Sequence, residues 1–182
     1  MNTPVEAWHQ EHVQFLQLLA LLQREVDAFQ SAATPDYQLM LDIVAYLRDY
    51  SDACHHPRED EAFRRLLRHR PDRALPIARL HQEHRVIAQA GEILRQLLEH
   101  ALSDAMIPRA EIEAAAATYL VYYRSHIARE EEDVLPRTAR LLTAQDWEGV
   151  KAAAPAARDP LFEAGPGQRF AGLRRRIAAH AA

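Results

Sequence analysis

Cysteine is almost missing from this chain. Cys54 stands alone among 182 residues, so no disulfide can close within it, and a reducing cytoplasm is the expected home. Glycine is scarce, at five residues. The alternation of Val, Ile and Thr that announces strands is not there, which argues against a sheet. Neither sign of charge dominates. The net charge of −4 gives no electrostatic footprint for nucleic acid. No uninterrupted apolar run reaches membrane length, and the first residues show neither the basic start nor the apolar stretch of a secretory signal. The expected partners therefore include no nucleic acid and no membrane. What is abundant is Leu, Ala, Arg, Glu and Gln, all good helix formers. With 48% hydrophobic and 26% charged residues, the chain reads as a globular all-α protein with a substantial core.

Apolar spacing divides the first part of the chain into four long helices. The first spans about Pro4 to Gln30, with Val5, Trp8, His12, Phe15, Leu18, Leu19 and Leu22 on one face and His9 at its border. Ser31 to Asp36 reads as a loop. The second runs from about Asp36 to His69, turning Leu39, Ile43, Tyr46, Leu47, Tyr50, His55, Glu59, Phe63 and Leu66 inward. Arg70-Pro71-Asp72 ends it. The third continues to about Ala101 through Leu80, His84, Ile87, Gly91 and Leu94, and Ser103-Asp104 with Pro108 marks the next turn. The fourth covers about Pro108 to Leu142, with Ile112, Tyr119, Tyr122, His126, Glu130 and Leu135 inward and a kink at Pro136. The expected architecture is an up-down-up-down four-helix bundle over residues 1–142, followed by a C-terminal helical extension, 143–182. That extension has a capped start at Thr143–Trp147, breakers at Asp159-Pro160 and Gly165-Pro166-Gly167, and a short basic helix from Gln168 to His180. The basic run Arg174-Arg175-Arg176 is read as a solvated face, with a partner or anionic surface as the alternative.

Chemistry concentrates in a repeat. His126-Ile127-Ala128-Arg129-Glu130 sets a His and a Glu four residues apart, on one helix face and about 6 Å apart along the axis. His55-His56-Pro57-Arg58-Glu59 does the same 71 residues earlier, and His9-Gln10-Glu11-His12 recurs as His81-Gln82-Glu83-His84 after 72 residues. A constant offset implies two similar helical hairpins related by an approximate two-fold axis. At 1.5 Å per residue, His12, His55/Glu59, His84 and His126/Glu130 all fall roughly 12 to 20 Å from one end of the bundle. A metal held between helices needs such a layer of imidazoles and carboxylates.

Other residues read more plainly. His56 follows His55 and so points about 100° away in a regular helix. His9, His56, His69, His100 and His180 are expected at the surface or satisfied, although whether His9, His56 or His81 adds a ligand is left open. Cys54 reads as a packing residue. Tyr50, Tyr119, Tyr122 and Tyr123 read as core, with one free to hydrogen-bond a ligand. Glu131, Glu132 and Asp133 read as a solvated acidic face. Pro57 removes a hydrogen bond to Ala53 at about 3 kcal/mol, so a kink that re-aims His55 and Glu59 is expected.

The succession of a lone His, HHPRED, EHR and HIAREE resembles the hemerythrin-like (HHE cation-binding) family, and Pro136, ten residues past His126, matches the usual end of its last motif. The resemblance covers about Val5 to Leu142. It implies a four-helix bundle around two non-heme iron ions, with His12, His55, Glu59, His84, His126 and Glu130 as the metal ligands. Bridging by Glu59 and Glu130 and by an oxo or hydroxo ligand is implied with it. Oxygen-carrying members have a two-His HxxxH on the third helix, whereas this chain has HxxH at His81 and His84. The departure tells against reversible oxygen carriage and implies an open position at the irons. The function so implied is binding or sensing of oxygen, nitric oxide or iron, with a small diatomic molecule as the partner. An enzyme acting on peroxide or nitric oxide, or donating iron for iron–sulfur repair, is the alternative. A metal-free helical interaction module is a third reading, and the sequence leaves room for a homo-oligomer.

Overall fold

The computed structural model describes residues 4–31, 33–103, 106–162 and 170–180. Among the described residues, eight α-helices follow one another: α1 (Pro4–Asp27), α2 (Tyr37–Tyr46), α3 (His56–His69), α4 (Ala74–Leu102), α5 (Arg109–Arg129), α6 (Leu135–Leu141), α7 (Ala144–Ala153) and α8 (Ala171–His180). No strand occurs among the described residues. α2 with α3, and α5 with α6, form two continuous rods, so four rods build the expected bundle. Asp104 of the predicted turn, and Gly165-Pro166-Gly167 with Gln168, lie outside the described residues.

The two rods share a local device. Between α2 and α3 the ladder widens to π-helical pairing over Leu47–His55 and closes with the His56 N–H on the carbonyl of Ser51. Between α5 and α6 it widens over Glu130–Val134 and closes with Leu135 N–H on Glu130. Each wide turn lies just ahead of a proline, Pro57 or Pro136, in the first turn of the next helix. A proline supplies no N–H to the preceding turn, and π turns concentrate at functional sites. The kink expected at Pro57 is thus a change of pairing, and the rod does not end there.

Two apolar clusters fill the bundle. One gathers Phe15, Ile43, Leu47, Ile87, Tyr119, Tyr123 and Ile127. The other gathers Trp8, Phe63, Leu66, Ile77, Leu80, Val134 and Leu135. On every rod the predicted His and Glu residues lie in sequence between members of the two clusters, so the polar side chains form one layer between two apolar ones. One expectation on the fourth rod fails: Tyr122 is 46% exposed, while Tyr123 is buried as expected. The stripe there runs Ile112, Ala116, Tyr119, Leu120, Tyr123 and Ile127.

Residues after Leu142 pack back on the bundle. Thr143 and Asp146 cap α7 reciprocally, and Val150 and Trp147 join the second cluster. Leu161, Phe170 and Leu173 join the first. Asp159 accepts a buried hydrogen bond from Tyr46 at 2.9 Å, and Arg176 of the basic run pairs with Asp36. No helix among the described residues is long and apolar enough to cross a membrane.

Candidate metal centre

All six predicted site residues arrive in one layer and are no more than 6% exposed. His55 and Glu59 face each other at 3.2 Å, and His126 and Glu130 at 3.1 Å, as the i, i+4 spacing requires. His12 Nε2 lies 2.9 Å from His55 Nε2. Glu59 turns Oε1 toward His12 at 3.4 Å and Oε2 toward His84 at 3.8 Å. Glu130 turns Oε2 toward His12 and Oε1 toward His84, each at 3.5 Å. Each carboxylate therefore stands between the two halves of the bundle. Two groups of donors converge closely enough for a cation, His12 with His55 and Glu59, and His56 with Glu59, His84 and His126.

Behind the imidazoles is a second set of carboxylates, two of them within a half of the bundle and two crossed between the halves. The Nδ1 of His55 meets Glu11 at 2.5 Å, and that of His126 meets Glu83 at 3.3 Å. Glu11 and Glu83 are the acidic residues of the two HQEH copies. In return, Nδ1 of His12 meets Glu131 at 2.7 Å and that of His84 meets Asp60 at 2.8 Å. Glu131 and Asp60 each follow the Glu of an HxxxE. Arg58 and Arg129, each just before that Glu, bond Glu11 and Glu83. A carboxylate on Nδ1 fixes the tautomer and leaves Nε2 to face inward as a donor, the usual support of a metal-bound histidine.

These supporting residues were not foreseen. The acidic run reads as a solvated face, yet Glu131 holds His12 and also bonds His9 at 3.0 Å. The signal was present, because Glu11/Glu83, Arg58/Arg129 and Asp60/Glu131 recur at the same offset as the predicted ligands. His9 is 53% exposed, His69 bonds Asp146 at 2.9 Å, and Cys54 is a half-buried free thiol. His81 contacts Asp60 at 3.3 Å but joins neither donor group.

His56 is a correction of another kind. A regular helix would turn it away from His55, but the wide turn that ends at His55 leaves it buried beside His84 and His126. Burial, followed by the neighbouring charges of His84 and His126, holds its pKa well below the ordinary imidazole value. Asp52, one turn earlier, is pushed up to about 7 by burial, against the pull of His84, Arg48 and His126.

The charge balance of the layer is tense without a cation. Burial raises the carboxyls of Glu59 and Glu130, yet the surrounding imidazoles win. Glu59 is held well below the carboxylate range by His55 and His12, and Glu130 is lowered to about 2 by His126 and His84 although Glu59 opposes it. Burial likewise works against protonation of His12 and His84, but the acidic neighbours, Glu131 and Glu59 for one and Asp60 and Glu130 for the other, lift each to about 10. Protons on His12 and His84 are thus favoured by the carboxylates around them. All four oxygens of Glu59 and Glu130, with Nε2 of His84 and His126, are buried and make no hydrogen bond. Such orphaned groups are costly, and their convergence fits a cation that takes imidazole and carboxylate together, as iron does.

No curated protein matches the chain. The sequence profile described as the Hemerythrin HHE cation binding domain matches residues 3–138, which spans the first three rods, the fourth as far as Thr138, and each of the six predicted site residues. With that match and the layer of histidines and glutamates in place, the chain belongs to the hemerythrin HHE cation-binding family.

Proposed function

We propose that this is a non-heme di-iron protein that binds or senses a small diatomic molecule such as oxygen or nitric oxide. His12, His55, Glu59, His84, His126 and Glu130 would hold the two ions, with Glu59 and Glu130 shared between them. One observation carries the reading: four buried carboxylate oxygens without hydrogen bonds stand among four imidazoles whose Nδ1 atoms are already engaged. Iron bound there would supply a redox couple and an exchangeable position for a small ligand. The chain's own part is to aim the Nε2 lone pairs inward, to give up the protons of His12 and His84 as the ions enter, and to exclude bulk water. That burial favours a diatomic molecule over a larger substrate. We place the activity in residues 1–142, with residues 143–182 bracing the bundle, and the lone Cys54 suits a reducing cytoplasm.

Elemental analysis of protein purified without chelator, followed by anaerobic loading with ferrous iron, should give two irons per chain. Charge-transfer absorption should appear on oxidation and shift on adding azide or nitric oxide. Glu59→Ala and Glu130→Ala should each lose the two-ion centre. A wild type that holds a single iron, or only zinc with no such bands after iron loading, would overturn the reading. Turnover of peroxide or nitric oxide under a reductant would move the same centre into the enzyme class.

A further inference from the structure

We propose that His56 is a fifth imidazole donor, joining His84 and His126 at one ion while His12 and His55 serve the other. This rests on the di-iron reading above. A donor nitrogen of His56 lies within 4.8 Å of donor atoms of Glu59, His84 and His126. Its ring stacks on that of His84 at 4.1 Å with 11° between the planes, and meets the His126 ring edge-on at 5.5 Å. The spread of these distances resembles that within the predicted pairs, where His84 and His126 are 4.5 Å apart and His12 and His55 4.8 Å.

The backbone explains how two consecutive histidines reach one site. Successive residues of a regular α-helix differ by about 100°, which would send one of them outward. The π-helical stretch Leu47–His55, closed by His56 N–H on Ser51, changes the register just there. His55 and His56 are then 0% and 4% exposed. His56, like the other four histidines, has a carboxylate facing Nδ1, although here it is a close approach without a hydrogen bond. Asp52 Oδ1 lies 3.3 Å from that nitrogen, and both Asp52 oxygens are buried without a hydrogen-bond partner. With Nδ1 facing Asp52, Nε2 carries the lone pair, which accepts from Ser51 Oγ at 3.2 Å; Ser51 itself accepts from Tyr123 at 2.5 Å. A hydroxyl is a weak competitor for that lone pair against a ferrous ion.

The consequence is an unequal pair of ions. Three imidazoles stand on one side of Glu59 and Glu130, and two on the other. The exchangeable position therefore belongs to the His12/His55 side, where the ring of Phe15 lies 5.1 Å from that of His55 and 6.3 Å from that of His12.

Ferrous-ion titration and Mössbauer spectra of the iron-loaded full chain test this. Wild type should show two unequal sites. His56→Ala should weaken one ion by about tenfold or more and alter one Mössbauer doublet, and added imidazole should restore the affinity. His56→Gln, which keeps the volume and a polar end, should show the same loss with unchanged helicity. Ser51→Ala separates donor from hydrogen-bond partner. A donor His56 keeps both ions when Ser51 is gone, whereas a His56 that only anchors Ser51 and Tyr123 gives matching defects in the two variants. Two tightly held irons in His56→Ala and His56→Gln, or matching losses in Ser51→Ala, would overturn the assignment and leave the di-iron reading intact. A wild type that takes up no iron would overturn both.

Discussion

The two halves of the bundle are near copies, and they differ where it counts. The first supplies Glu11, His12, His55, Arg58, Glu59 and Asp60. The second supplies Glu83, His84, His126, Arg129, Glu130 and Glu131. Every hydrogen bond between a predicted ligand histidine and its supporting carboxylate has a counterpart under the exchange of halves. The position after the HxxxE histidine breaks the match, with His56 in one half and Ile127 in the other. Ile127 is buried in the apolar cluster, whereas His56 sits with the donors. The wide turns are also out of step. In the first half the turn ends at His55, so it brings two neighbouring histidines inward. In the second it starts at Glu130, beyond His126 and Ile127, so those two keep the regular helical spacing and Ile127 stays in the apolar cluster. A duplicated motif thus gives unlike surroundings when the backbone around it shifts.

The largest effect expected from breaking this comparison is at the HQEH copy of the second half. His84→Ala should lower iron content strongly, by at least the tenfold typical of lost metal support, while His81→Ala should change it little, because His81 joins neither donor group. Iron stoichiometry of the two variants decides it. A greater loss from His81→Ala would show that α4 presents the wrong face.

A smaller, paired effect is expected from the supporting carboxylates. Glu11→Gln and Glu83→Gln should each weaken iron binding by about 10- to 100-fold. Glu11→Gln should be the worse, since the other donors to Glu11, Arg58 and Tyr50, are buried, whereas those to Glu83, Arg79 and Arg129, are exposed. Competition with a chromophoric chelator reads both values. Equal wild-type affinity in either variant would show that the carboxylate does not orient its histidine.

The smallest effect lies away from the metal layer. Thr143→Ala should cost about 1 kcal/mol through the α7 cap, seen as a lower melting midpoint with iron content unchanged. The Thr143 hydroxyl and backbone, with His69 after them, hold Asp146 down at about 2, below its ordinary 3.8. A carboxyl lowered in the folded state adds stability that is present above about pH 4 and is lost as the pH falls toward 2. Asp146→Ala should therefore remove part of the wild-type loss between those values, and acid melts of the two proteins measure it.

Much of this was legible in the sequence because helices of constant pitch obey a constant period. Phe15, Ile43, Ile87 and Tyr119 fell inward where the 3.6-residue spacing put them, and the repeat placed six donors at one level. What was not legible depended on a change of pitch. The spacing rule sends His56 outward because it assumes that each residue turns the chain by the same angle. Pro57 signalled a disturbance, but not that the preceding turn would widen to meet it. Glu131 was misjudged because acidic runs on helices are usually solvated, and nothing local in Glu130-Glu131-Glu132 tells which carboxylate faces a histidine 119 residues away in sequence. Comparing the halves residue by residue would have found it.

The packing of Asp159, Leu161, Phe170 and Leu173 onto the bundle bears on the timing of synthesis. Glu131, which bonds His12, precedes Leu173 of the first apolar cluster by 42 positions. A ribosome releases the chain from its N-terminal end, and contacts distant in sequence form late. The histidines and carboxylates can therefore be gathered while Tyr46, the partner of Asp159 across 113 positions, still lacks its cover. On the proposed di-iron reading, a nascent chain could gather its ligands for iron before its core is shut, and the later docking of Asp159, Leu161 and Leu173 would close over a layer already assembled.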